Sequence, residues 1–227
     1  MTRKKLYKVL GGSDEPINGG HGKWSLPDEN PGEWMPAIEG SIVPCKNGYH
    51  LCERKDILSW VGSDDVTVYE AEGRGNRADE KDKVAFREAR LLHRIGHLNA
   101  RALRHFAADC AERVLPIFEK ARPGDDRPRK AIQAARDYAE GRIPPAALAA
   151  AGDAARAAAE AAARAAAETA AGAAAEAAAG DAAGAAAWAA ARAAAWAAAR
   201  AAAETATRDA ERQWQARRLW RYLEASR

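Results

Sequence analysis

Apolar positions along the 227 residues follow three regimes. Up to about residue 90, short β-branched or aromatic runs over 6–10, 41–43 and 66–69 alternate with Gly- and Pro-rich stretches, which predicts a small sheet. Asp56 followed by Ile57, Leu58 and Trp60 predicts a short helix with an acidic N-cap, ended at Gly62. Over 83–92, Val84, Phe86, Leu91 and Leu92 fit neither period cleanly, and the stretch is read as a strand closing the first domain. From Asn99 the period changes. Leu103, Phe106, Ala107, Cys110, Val114, Ile117 and Phe118 recur three and four apart as one helix face requires, with Pro116 expected to kink or end the helix. Asp125, Asp126, Arg127 and Pro128 predict the entry of a second helix, carrying Ile132, Ala135 and Tyr138 and ended at Gly141.

In the third regime, 42 of the 62 residues over 146–207 are Ala, which favours helix and offers little side-chain volume. Larger, charged or glycine residues fall on every fourth position over 152–212, from Gly152 and Arg156 to Arg208 and Arg212. Four residues turn about 400°, so one straight helix would wind this stripe round its circumference and extend about 90 Å. Gly172, Gly180 and Gly184, with Asp181 as an N-cap, predict a break into two antiparallel helices. Anchors for so thin a bundle are expected from Trp188, Trp196, Trp214, Leu219, Trp220 and Leu223. The fold class expected is α+β: a small mixed sheet domain over 1–92, then an all-α Ala-rich helical bundle over 93–227.

Composition narrows the function classes. The 35 Lys+Arg against 32 Asp+Glu leave a net charge of +3, which does not indicate nucleic acid without a concentrated basic face. Three Cys argue against a disulfide framework and for a reducing compartment. The basic start over 1–5 reaches Gly11 and Gly12 without an apolar stretch, so no membrane span and a cytoplasmic location are expected.

The candidate chemistry lies in the run Val43, Pro44, Cys45, Lys46, Asn47, Gly48, Tyr49, His50, Leu51, Cys52. Asn47-Gly48 favours a two-residue type I′ hairpin, which would oppose Cys45 to His50 and Val43 to Cys52. Cys45, His50 and Cys52 would then share one face, with His21 available as a fourth zinc-type ligand. The spacing matches no usual zinc pattern, and ordinary core packing is the favoured reading, with no metal expected. A pocket in which Tyr49 and His50 touch a ligand remains the alternative, with Tyr7 and His21 as its further ligand-binding candidates. Cys45 or Cys52 beside His50 would supply a thiolate–imidazolium pair, but no oxyanion donor is legible. Glu70 and Glu72 share a strand face, more often as solvated charges than as an acid–base pair. The loop holding Trp24 and Trp34 reads as a lid packed on the sheet.

On these residues, two resemblances stand out. The segment from Leu6-Tyr7-Lys8 through Gly48-Tyr49-His50-Leu51-Cys52 to Tyr69-Glu70-Ala71-Glu72-Gly73 resembles a domain of unknown function recurring in bacterial and phage proteins, with the hallmark G-[FY]-H-x-C. The remainder, from Phe106-Ala107-Ala108-Asp109-Cys110 through Asp125–Ile132 to Glu211-Arg212-Gln213-Trp214-Gln215, is similar to an Ala-rich helical family labelled putative immunity protein. These resemblances imply a non-enzymatic immunity or phage–host conflict protein that binds a protein partner and needs no cofactor. A more distant likeness gives the alternative: Tyr7-Lys8 on an opening strand, the Gly-aromatic-His strand and Glu70/Glu72 resemble the element order of ADP-ribosyltransferase-like folds. That likeness implies NAD or another small nucleotide bound within 1–92, Lys8 standing where those folds have Arg or His. Whether the chain is an enzyme is left open at this level.

Overall fold

The computed structural model describes residues 4–18, 20, 22–61, 65–154 and 205–226. The chain divides into two compact units, residues 1–99 with 216–227, and residues 100–215. In the first unit, β1 (Leu6–Gly11), β2 (Tyr49–Glu53), β3 (Val66–Asp79) and β4 (Val84–Leu98) close into a barrel in the order β1-β2-β4-β3. Every pairing is antiparallel: Tyr7 opposes Cys52 and Glu70, and His50 opposes Ala85. β3 and β4 form the long hairpin that the two short apolar stretches at 66–69 and 83–92 only partly revealed. Three register shifts, at 68/69, 70/71 and 74/77, bend this pair, and such irregularities let so few strands curl onto themselves.

One face of these strands holds Leu10, Leu51, Tyr69, Ala71, Phe86 and Leu91, joined by Trp24 and Met35 from the long loop before β2. That loop is laid along β4. The amides of Gly32, Met35 and Ile38 donate to the carbonyls of Leu91, Ala89 and Arg87 at 2.9, 2.8 and 3.0 Å. Arg87 donates in turn to the carbonyls of Ile38 and Gly40, the latter at 2.7 Å. Trp34 lies between two guanidinium groups, Arg74 at 4.1 Å and Arg90 at 4.7 Å from its ring centre. The tryptophan loop is a packed strap.

Two local expectations are corrected here. Residues 41–43 form no strand, because Val43 is engaged only with Asn47 across the turn Pro44-Cys45-Lys46. The amides of Val43 and Asn47 bond each other's carbonyls at 2.8 Å, Cys45 takes φ +63°, and no type I′ turn forms at Asn47-Gly48. Asn47 serves instead through its side chain, whose amide donates to the carbonyls of Glu39 and Ser41 at 2.8 and 3.0 Å. Gly48 is needed for contact: a Cβ there would come within 2.9 Å of the Ala85 Cβ, at a φ of +152°. The short helix after β2 is a 3-10 helix, Arg54–Ser59, starting two residues before Asp56.

In the second unit, α1 (Ala100–Ala121) continues through Pro116, so of the expected kink or stop the stop does not occur. Pro116 is exposed while Val114, Leu115 and Phe118 around it are buried, so packing of the inner face outweighs the lost backbone bond. α2 (Arg127–Ala139) begins with Pro in its first turn, as the sequence indicates. It ends at Gly141, whose φ of +69° lets its amide reach the Tyr138 carbonyl at 3.0 Å. Ala108, Ala111 and Leu115 meet Ile132 between the helices. Arg136 of α2 bridges to Asp109 at 3.0 Å and Glu112 at 2.7 Å, and Glu140 takes Arg101 at 2.5 Å and His105 at 2.7 Å. Residues 145–154 are helical. The Ala-rich repeat from 155 to 204, and with it the expected break near Gly172, Gly180 and Gly184, lies outside the described residues.

The last helix, α3 (Thr205–Ala225), serves both units. In the second, Glu211 is buried and receives Arg113 at 2.6 Å, and Arg113 also stacks on Trp214 at 4.5 Å. In the first, Trp220 meets Tyr7 edge to face with ring centres 4.8 Å apart, and Arg54 covers it at 4.4 Å. Leu219, Trp220 and Leu223 are buried in the unit that contains the barrel, while the Ala-rich repeat they were expected to anchor lies outside the described residues. Their bulk suits a wide sheet better than a thin Ala face. Sheet first and helices after make the chain α+β. Among the described residues, no helix is long and apolar enough to cross a membrane.

Candidate functional site

β2 and its neighbours place the candidate residues. Strand alternation separates Tyr49, which packs against the inner cluster beside Trp24, from His50. The Tyr49 hydroxyl donates to the Pro36 carbonyl at 2.9 Å and so pins the strap. His50 does meet Cys45, through the backbone. The Cys45 amide donates to His50 Nε2 at 2.8 Å, which makes Nε2 an acceptor and leaves the ring proton on Nδ1 when the imidazole is neutral. Burial, then the positive charges of Lys8 and Lys83, hold the His50 pKa below its ordinary value of 6.5, with Glu80 acting in the opposite sense.

Cys52 is buried, and burial pushes its thiol up to about 12, so it is a neutral packing group. Cys45 is exposed, with Sγ 3.9 Å from Glu80 Oε2, and Glu80 binds Lys83 at 2.8 Å. Hydrogen bonding to Glu80 holds Lys83 firmly protonated. Tyr7 is buried under Trp220. His21 lies outside the described residues. Tyr7, Tyr49 and His50 are thus neighbours in the barrel wall that face different surroundings. Among the described residues, no group of three or more His, Cys, Asp or Glu is arranged to hold a metal ion.

Glu70 and Glu72 are each engaged: Glu70 with Lys5 at 2.7 Å and His93 at 3.6 Å, Glu72 with Arg90 at 2.6 Å. A buried Thr67 hydroxyl lies 3.1 Å from His97 Nδ1, while His97 Nε2 is 3.7 Å from Asp65. This order matches a nucleophile, base and orienting acid, but Thr67 is enclosed between β3 and β4 and unavailable to a substrate.

The distinctive group is Lys8. It sits on β1 facing Tyr69 across the ladder, with its ammonium 5.0 Å above the Trp24 ring and 3.4 Å from the His50 carbonyl. No carboxylate lies in salt-bridge reach of it among the described residues, and burial lowers its pKa to about 8. Single-sequence patterning did not single it out as a buried cation, because one Lys between Tyr7 and Val9 looks like the outward position of an edge strand.

With this geometry in view, the chain can be placed among α+β proteins whose helical part follows a small barrel. Residues 93–222, more than half of the chain, match the family described as Imm-5 like putative immunity protein, and the chain belongs to that family. No curated protein and no solved structure matches it. The family suggests an immunity-type function.

Proposed function

We propose that the protein, of bacterial or phage origin, confers immunity by binding a protein partner in the cytoplasm and carries out no chemistry of its own. The observation that carries this reading is the family match over 93–222, which spans the end of β4, both packed helices and most of α3. The barrel supports it. Glu70, Glu72, Tyr49, His50 and Cys52 are all engaged in pairing or packing, the pattern of a scaffold. The Ala-rich bundle and the resemblance of 1–92 to a bacterial and phage domain belong to the same proposal, with the barrel as an accessory module.

Lys8 favours a second reading. A partly buried cation over an indole, without a carboxylate, suits a small anionic ligand such as a nucleotide phosphate. Calorimetry on the full chain separates the two. NAD and ADP-ribose produce no saturable heat if the first reading holds, whereas the full chain used as bait for cross-linking yields a stoichiometric protein complex. Saturable NAD or ADP-ribose binding abolished by Lys8→Met or His50→Ala would install the second reading instead.

A further inference from the structure

Many charged side chains among the described residues are engaged with one another: Arg74 with Glu88, Arg90 with Glu72, Arg136 with Asp109 and Glu112, Arg142 with Asp137. Arg217 and Arg221 on α3 are exposed and form no ion pair with any described residue; Lys81 and Arg94 are likewise exposed and form none, but Arg217 and Arg221 share one helix. Glu224, one turn beyond Arg221, does not pair with it. Four residues apart, the two arginines occupy one helix face as neighbours.

The helix beneath them is tied to the barrel. Trp220, between them in sequence, is buried against Tyr7, and the exposed Arg54 lies 4.4 Å over its ring. Gly96 lets the helix sit directly on β4, since a Cβ there would collide with the Leu223 carbonyl. The Ser226 hydroxyl, which accepts from the His97 amide at 2.8 Å, ties the helix end to the same strand. A seated helix presents these guanidinium groups from a fixed backbone, so the freedom lost on binding is that of the side chains alone.

We propose that Arg217 and Arg221 form the docking surface for a carboxylate-rich segment of a protein partner. Guanidinium groups match carboxylates in bidentate geometry and are over-represented among residues that dominate protein interfaces. The number of cations decides against nucleic acid. Sequence-independent binding to a duplex draws on about six to ten phosphate contacts, whereas Arg217, Arg218 and Arg221, the arginines of α3 within the barrel unit, supply too few on a chain of net charge +3. This inference rests on the proposed partner-binding function and assigns it a surface and a partner chemistry.

The test uses the full chain, a fluorescent oligoglutamate peptide and a short DNA duplex of equal net charge, at low and physiological salt. The peptide binds with salt-dependent affinity, and the reversal Arg217→Glu/Arg221→Glu weakens it by about tenfold or more. Helical circular dichroism and melting temperature stay unchanged, because both positions are exposed. Arg217→Lys/Arg221→Lys keeps the charge, loses the fork and gives an intermediate affinity. Equal peptide binding by the reversed variant would overturn the assignment, as would tighter binding of the duplex than of the peptide. If reversal leaves the peptide bound while cross-linking still captures a stoichiometric protein partner, the surface falls and the proposed function stands. Loss of peptide binding on reversal, with no protein captured, would leave the surface standing and remove the function.

Discussion

At the residue scale, His50 and Lys8 show how the barrel sets the chemistry of single groups. The His50 acceptor nitrogen holds the Cys45 amide, and protonation removes that acceptor. Because the folded pKa lies below 6.5, the cost of charging His50 is absent above 6.5 and grows as pH falls toward the folded value. The Cys45 amide resonance is therefore expected to titrate below pH 6.5, and His50→Ala to cost about 1 kcal/mol at neutral pH while abolishing that titration. An amide shift that is flat over this range would disprove the linkage.

Lys8 works the other way along the pH scale. Its folded value of about 8 against an ordinary 10.5 places a destabilising cost below pH 8 that is relieved as pH rises to 10.5. Cys52, raised from 9.0 to about 12, adds stability that is lost between those two values. Lys8→Met should raise stability near pH 7 by about 1–3 kcal/mol, with the difference from the parent shrinking to near zero by pH 10.5. Denaturant titrations at a series of pH values measure it, and a gain that persists at pH 11 would exclude charge burial as the cause.

At the scale of elements, the contact of α3 with β4 is the most demanding fit. Gly96→Ala drives a methyl group into the Leu223 carbonyl, which belongs to backbone and cannot swing aside. A loss of about 1–3 kcal/mol is expected, as for other overpacked sites, with faster hydrogen exchange of the His97 amide that Ser226 accepts. Trp220→Ala removes the partner of both Tyr7 and Arg54 and should cost about 3–5 kcal/mol. Unchanged melting in both variants would mean that this half of α3 contributes nothing to the barrel.

At the scale of the whole molecule, the first compact unit takes its members from both ends of the chain. A fragment ending at Asn99 lacks Leu219, Trp220 and Leu223 and leaves Tyr7 without its aromatic neighbour. Such a fragment is expected to lose cooperative unfolding, and adding residues 205–227 as a peptide is expected to restore it. Thermal scans followed by near-ultraviolet circular dichroism read this directly. A fragment 1–99 that melts cooperatively without the peptide would show the barrel to be self-sufficient.

Several features were legible because they depend on neighbours in sequence. The period of α1 from Asn99, the Pro-started entry and Gly141 end of α2, and β1 at 6–10 are settled within one or two turns of chain. The packed tryptophan strap followed from its prolines, which keep that loop out of the regular ladder. Turn preference for Asn47-Gly48 was a true local signal that lost. Glu39 and Ser41 carbonyls recruit the Asn47 side chain, and β2 finds its partners in β1 and β4 rather than in 41–43. The partial burial of Lys8 and the return of α3 to the barrel also depend on contacts between residues far apart. Hydrophobic period states that a face will be covered, and only the closed sheet decides by what. For this chain the sequence alone determined β1, α1 and α2, and tertiary packing decided the extent of β3 and β4, the fate of 41–43 and which side chains meet, because burial energy is summed over surfaces that distant segments build together.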